Sequence, residues 1–182
     1  SYYFLELNPR LQVEHPVSEM ISGVNIPALQ LQISMGIPLH NIPDIRALYS
    51  ADRNGLGEFD LSLENRRAPT CHVIAARITA ENPASGFRPN LGKLHEVEFL
   101  STPNVWGYFS IGANSSIHQF SDSQFGHIFA KGENREDARN SLQAAIRDLK
   151  VRGTFYNTSE ALLTLLARQE YRSLDFDTSW LD

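Results

Sequence analysis

Between residues 6 and 14 every second position carries a polar or charged side chain: Glu6, Asn8, Arg10, Gln12 and Glu14. The positions between them, Leu5, Leu7, Pro9, Leu11 and Val13, are apolar or proline. An extended chain would therefore send two carboxylates, two amides and a guanidinium to one side. Alternation alone fits an edge strand with its polar face in water just as well. The mixture of types is what points to chemistry. Glu6 and Asn8 offer the hard oxygen ligands that magnesium takes alongside phosphate oxygens and water. Arg10 offers a planar fork matched to a carboxylate, phosphate or bicarbonate, and Glu14 is a candidate base a few residues away. Together they make a kit for forming and holding a phosphorylated small anion.

A second charged group stands out at Arg77, in the run His72-Val73-Ile74-Ala75-Ala76-Arg77-Ile78-Thr79. A charge in so apolar a strand needs a partner, because unpaired burial costs several kcal/mol. The plain reading is a buried salt bridge. The six histidines show no spacing typical of a metal site, and the single Cys71 can form neither an internal disulfide nor a structural zinc site.

The elements that must position these groups can be read from periodicity. Residues 2–7 are strand-like and Asn8-Pro9 turns the chain out of the strand. Pro16 opens a helix and Gly23 closes it, and Ile26, Leu29, Leu31 and Ile33 belong to a second helix. Residues 50–70 are rich in Gly, Asp, Asn, Arg and Pro and read as a surface connection in which Arg66-Arg67 is solvated. Strands are predicted over 72–79, 93–100, 105–111 and 126–130, separated by turn clusters, which suggests a mainly antiparallel sheet. A helix follows Gly132, with Ala138, Leu142, Ala145, Ile146 and Leu149 as its apolar stripe and Gly153 as its close. A second late helix starts near Asn157 and Glu160, at capping-box spacing, and runs through Leu162, Leu163, Leu165 and Leu166. Strands followed by helices define an α+β class.

The 182 residues suffice for one main core. Hydrophobic residues at 42% and charged residues at 20% are ordinary globular usage, not the composition of a disordered chain. A net charge of -5 lacks the basic footprint of a nucleic-acid binder. No apolar stretch reaches the roughly 18 residues of a membrane span. The cytoplasm is the expected compartment, with an organelle as the alternative. Strand-like sequence from the first residue suggests a cut chain whose strand partners lie elsewhere.

Residues 6–16, Glu-Leu-Asn-Pro-Arg-Leu-Gln-Val-Glu-His-Pro, closely resemble the signature of the biotin carboxylase family, whose enzymes have an ATP-grasp fold. An eleven-residue match is far more specific than a lone glycine-rich loop. Residues 76–83, Ala-Arg-Ile-Thr-Ala-Glu-Asn-Pro, resemble the family's second active-site strand. Asp122 to His127 and Gly132 to Arg135 resemble its C-terminal sheet and following helix. The stretches 104–110 and 179–182 are similar to the eukaryotic multidomain acetyl-CoA carboxylases in particular. Departures fall in 50–70 and around 154–156.

The resemblance implies the end of an ATP-grasp region over 1–36, a connecting segment over 37–70 and the biotin carboxylase C-terminal domain over 71–182. It implies ATP, Mg2+ or Mn2+, and biotin on a carrier domain elsewhere as cofactors. Glu6 and Asn8 become metal ligands, and Arg10, Gln12 and the Val13 backbone become the bicarbonate site. Glu14 becomes the base that readies bicarbonate for attack on the terminal phosphate of ATP. Arg77 becomes the group that stabilises negative charge on the biotin ureido oxygen, with Asp122 orienting an arginine. Trp106 and Phe129 are candidates for a dimer or regulatory surface, although aromatic residues in a sheet are more often core. The partners implied are bicarbonate, the carrier domain, the rest of the carboxylase chain and a second copy of the full enzyme. The chain alone, lacking a glycine-rich phosphate loop, is expected to be inactive. Two other readings stay open: the corresponding part of a propionyl-CoA or pyruvate carboxylase, and a non-catalytic interaction or inhibitor-binding module.

Overall fold

The computed structural model describes residues 3–118 and 122–181, and the chain divides into two compact units, Ser1–Thr70 and Cys71–Asp182. In the first unit, residues 3–9 form no strand. A strand is defined by its ladder, and no described residue pairs with this segment. The expected alternation therefore buries nothing here: Leu5 is 90% exposed and Leu7 75%.

Helix α1, His15–Ser22, carries Pro16 in its first turn, where a missing N–H costs no intrahelical bond. Gly23 closes it as expected, at φ 74°, with its N–H donating to the Glu19 carbonyl. Helix α2, Ile26–Ser34, is capped by Asn25, whose side chain accepts from the Ala28 N–H at 2.8 Å. The periodicity did not predict the short α3, Pro43–Leu48. It supplies Ile45 to a small core with Val24 and Ile42, against which Leu29, Leu48, Tyr49 and Phe59 pack. The part of 50–70 that reads as loop is tied down by the buried Arg46. Its guanidinium donates to the carbonyls of His40, Gly57 and Asp52 and lies over the Phe59 ring.

In the second unit all strand pairings are antiparallel, as predicted. Strand β1 is His72–Thr79. The short β2, Glu81–Asn82, and β3, Arg88–Pro89, pair with each other. β4 is Gly92–Glu98, β5 Val105–Phe109, β6 Ser116–Ile117 and β7 Gln124–Gly132. One sheet runs β1-β7-β5. Helix α4, Arg135–Asp148, packs its predicted stripe, Ala138, Leu142 and Ile146, against Ile74, Ala76, Ile78 and Ala130. Asn134 caps α4, accepting from the Asp137 N–H at 2.9 Å. Gly132 is required where β7 meets α4, since a Cβ there would collide with the backbone of Ala138.

Gly153 does not close α4. The helix ends at Asp148, and Lys150–Gly153 becomes β8, the partner of β4 in a second sheet of order β6-β4-β8. The Lys150–Glu98 ion pair, 2.6 Å, pins that register and holds the Glu98 carboxyl below its ordinary value. Helix α5, Ser159–Ala167, starts at Thr158, whose hydroxyl accepts from the Thr79 N–H at 3.1 Å and so ties the helix to the end of β1. Helix α6, Gln169–Ser173, is bound back to α4 through Glu136, which accepts from Arg139 at 2.8 Å and from Arg172 at 3.0 Å. The α+β class stands.

Candidate functional site

The polar row of residues 6–14 is not one straight face. The Arg10 N–H donates to the Asn8 carbonyl at 2.8 Å, a three-residue turn centred on Pro9. The His15 N–H donates to the Gln12 carbonyl at 3.1 Å, closing a second turn over Val13 and Glu14. These two turns split the row into two groups. In the first, the Asn8 side-chain amide donates to Glu6 Oε1 at 3.0 Å, leaving the Asn8 amide oxygen and the other Glu6 oxygen outside that bond. Both are hard oxygen donors, the type a divalent cation of this chemistry requires.

In the second group Arg10, Gln12 and Glu14 come together. They line an open depression of about 340 Å³ with Leu11, His15 and Gln30. Glu14 is the N-cap residue of α1, in a helical conformation at φ -84° and ψ -1°. Its carboxyl and Arg10 line the same depression. Val13 sits at the corner of the turn, half-buried. The histidines show no metal-site spacing, yet the His15 ring lines this depression, and its Nδ1 is 2.7 Å from the Gln12 carbonyl. That contact depends on turn geometry and leaves no trace in spacing alone.

Arg77 is not buried. The β1 pleat turns Ile74, Ala76 and Ile78 inward and sets Arg77 on the opposite face. It does have a partner: one guanidinium nitrogen is 2.8 Å from Asp122 Oδ2, with the two side chains 47% and 64% exposed. Asp122 is itself held by the Gln124 N–H, which donates to its Oδ1 at 3.1 Å. Across the ladder Arg77 faces His127. There the face of β5 and β7 away from α4 is a run of stacked rings. Trp106 lies on Phe129 with centroids 4.7 Å apart, and Tyr108 lies on His127 at 5.8 Å. Phe129 is core, as aromatic residues in sheets usually are, with 0% exposure. Trp106 departs from that expectation: it is 36% exposed, and its ring is the lid over Phe129.

In the first unit a loop gathers an arginine, an amide and a carboxylate, and in the second an exposed arginine on a strand is held by a carboxylate. Comparison with known proteins gives this a family. Residues 75–182 match the family described as the biotin carboxylase C-terminal domain, and residues 1–42 match the ATP binding domain of the carbamoyl-phosphate synthase L chain. The chain belongs to the biotin carboxylase C-terminal domain family. Among curated proteins it is 55% identical over 181 residues to the mitochondrial acetyl-CoA carboxylase of Saccharomyces cerevisiae. It is 52% identical over 185 residues to the acetyl-CoA carboxylase of Dictyostelium discoideum. All of this chain is covered in both cases, but it spans only 8% of the length of each of those relatives. Among solved structures it is similar to the biotin carboxylase domain dimer of Hydrogenobacter thermophilus 2-oxoglutarate carboxylase, in complex with MgADP, ADP and bicarbonate. There the TM-score is 0.79 at 25% identity, over 98% of this chain and 35% of that one.

Proposed function

We propose that this chain supplies the bicarbonate and biotin side of the active site in an ATP-dependent biotin carboxylase of the acetyl-CoA carboxylase type. The reading is carried by the convergence of Arg10, Gln12 and Glu14 on one depression. Identity of 52–55% across the chain with acetyl-CoA carboxylases supports that type. Residues 1–36 then end an ATP-grasp region, 37–70 connect, and 71–182 form the C-terminal domain.

Bicarbonate is held by the Arg10 guanidinium, the Gln12 amide and the Val13 N–H. Glu14 takes the bicarbonate proton, so that a carboxylate oxygen attacks the terminal phosphorus of ATP and ADP leaves, giving carboxyphosphate. Arg10 faces the same anion before and after this step, which suits a fixed, always charged group. Glu6 and Asn8 fit as two of the oxygen ligands of Mg2+ or Mn2+, which supplies positive charge against the phosphate oxygens. Among the described residues no group of three or more His, Cys, Asp or Glu could hold a metal ion. The remaining ligands are therefore assigned to phosphate, water and the rest of the carboxylase. Arg77, held by Asp122, stabilises negative charge on the ureido oxygen of biotin, which is carried on a separate domain.

The full enzyme is proposed to be a homodimer, with the exposed Trp106, not the buried Phe129, available to an interface. No helix among the described residues is long and apolar enough to cross a membrane. The proposed compartment is the cytoplasm or an organelle, one yeast relative being named as mitochondrial.

The test is made in the full-length carboxylase. Arg10→Ala and Glu14→Ala should each lower bicarbonate-dependent ATP cleavage and biotin carboxylation by about a hundredfold or more, with thermal unfolding unchanged. Turnover retained in either variant would overturn the assigned roles.

A further inference from the structure

We infer that His15 is a positioning residue for the bicarbonate site, fixing the direction of the Val13 N–H through the Gln12 carbonyl. The inference rests on the reading of residues 10–14 as that site. Two donors from one residue converge on the Gln12 carbonyl: the His15 N–H at 3.1 Å and the His15 ring Nδ1 at 2.7 Å. A carbonyl only accepts, so Nδ1 is the protonated, donating nitrogen. The backbone bond already closes the turn and satisfies the carbonyl. The shorter ring bond is therefore not needed for closure, and its effect is to set the angle at which the carbonyl points.

That angle matters because the Gln12 carbonyl and the Val13 N–H belong to the same peptide unit. The unit is planar and trans, so the two groups point in opposite directions and turn as one body. Drawing the carbonyl toward His15 drives the Val13 N–H away from it. A donor assigned to an anion gives its full benefit only if its direction is set before the anion arrives.

The far edge of the ring lies beside Glu19. Its Nε2 is 3.7 Å from Glu19 Oε2, and Glu19 Oε1 accepts from the Ile26 N–H at 2.6 Å, at the first residue of α2. The Glu19 carbonyl also accepts from the Gly23 N–H at 2.7 Å. A chain of contacts thus runs from the start of α2 through Glu19 and His15 to the peptide that presents the Val13 N–H. None of these residues carries charge to the anion. Their contribution is aim.

The experiment uses the full-length carboxylase with His15→Asn, His15→Gln and His15→Ala, and measures KM for bicarbonate and for ATP separately. Asparagine carries its amide nitrogen as many bonds from the backbone as Nδ1, whereas the glutamine nitrogen corresponds to Nε2. His15→Gln and His15→Ala should raise KM for bicarbonate about tenfold, the scale of one lost hydrogen bond, with KM for ATP unchanged. His15→Asn should stay within about twofold of the parent. A His15→Asn enzyme as impaired as His15→Gln, an unchanged bicarbonate KM in both, or a parallel rise in KM for ATP would each overturn the inference. If His15→Ala does not fold, the Asn and Gln pair decides. Arg10→Ala in the same background separates the two levels. If it too leaves the bicarbonate KM untouched, the site assignment fails. If it raises that KM while the His15 variants stay flat, only the role of His15 fails.

Discussion

Arg77 and Asp122 allow a structural ion pair to be told from a functional one, because their exposure separates the two effects. The contact is short, 2.8 Å, but the side chains are 47% and 64% exposed. A pair so open to water is screened and contributes about 0–1 kcal/mol to stability. Removing either partner should therefore lower the melting temperature by no more than a few degrees. If Arg77 faces negative charge that develops on the biotin ureido oxygen, its removal acts on the transition state, where such a group is worth about 3–4 kcal/mol. Arg77→Ala should then slow biotin carboxylation by about two to three orders of magnitude. Asp122→Asn keeps an oxygen for the Gln124 N–H and removes only the charge that holds the guanidinium. It should cost about tenfold, and Arg77→Ala should mask it in a double-mutant cycle. The assay is biotin carboxylation by the full-length enzyme at saturating ATP and bicarbonate, with thermal unfolding of each variant alongside. Full carboxylation in Arg77→Ala, together with a fall of about ten degrees or more in melting temperature, would refute the reasoning and make the pair structural.

Two further predictions concern the frame that carries this strand. Leu142 of α4 is 1% exposed in the main core. Leu142→Ala should destabilise the unit by about 2–5 kcal/mol, read as a shift in the denaturant midpoint, and a loss below about 1 kcal/mol would contradict the packing described. The Glu136 carboxyl is lowered from an ordinary value of 4.5 to about 2, first by the hydrogen bond from Arg139 and then by the charges of Arg139 and Arg172. Because the folded value lies below the unfolded one, the stabilisation is complete above 4.5 and is lost as pH falls toward 2. The parent protein should therefore lose melting temperature across that window more steeply than Glu136→Gln, and parallel slopes would rule the linkage out.

Much of the second unit was legible because its elements state their period. β1, β4, β5 and β7 were visible as apolar runs between turn clusters, and the stripe of α4 repeats every three to four residues. The misses share one cause. β8 is four residues whose strand character exists only against β4, so Gly153 looked like the end of a helix when the partner was not in view. α3 is six residues long, too short for a period, and is stabilised by what Ile45 and Arg46 touch. The exposure of Trp106 depends on a partner in the same way. The sheet gave it a position opposite Phe129 in the register, and only the pairing shows that one ring must cover the other.

For the candidate site, the sequence revealed the types of group and the structure changed their arrangement. A strict two-residue alternation over 6–14 implies one row, in which the metal ligands and the anion-binding groups would share a face. Proline at position 9 and the turn over Val13 and Glu14 break that row into an oxygen pair and an arginine–amide–carboxylate group. The proposed roles differ: Glu6 would be a metal ligand and Glu14 the base that takes the bicarbonate proton. In one extended row these two carboxylates, eight residues apart, would lie roughly 27 Å from each other. The turns instead fold the row, giving Glu6 the Asn8 amide as its neighbour at 3.0 Å and gathering Glu14 with Arg10 and Gln12 around one depression. The alternation supplies the residue types, and the turns that interrupt it decide which of them meet.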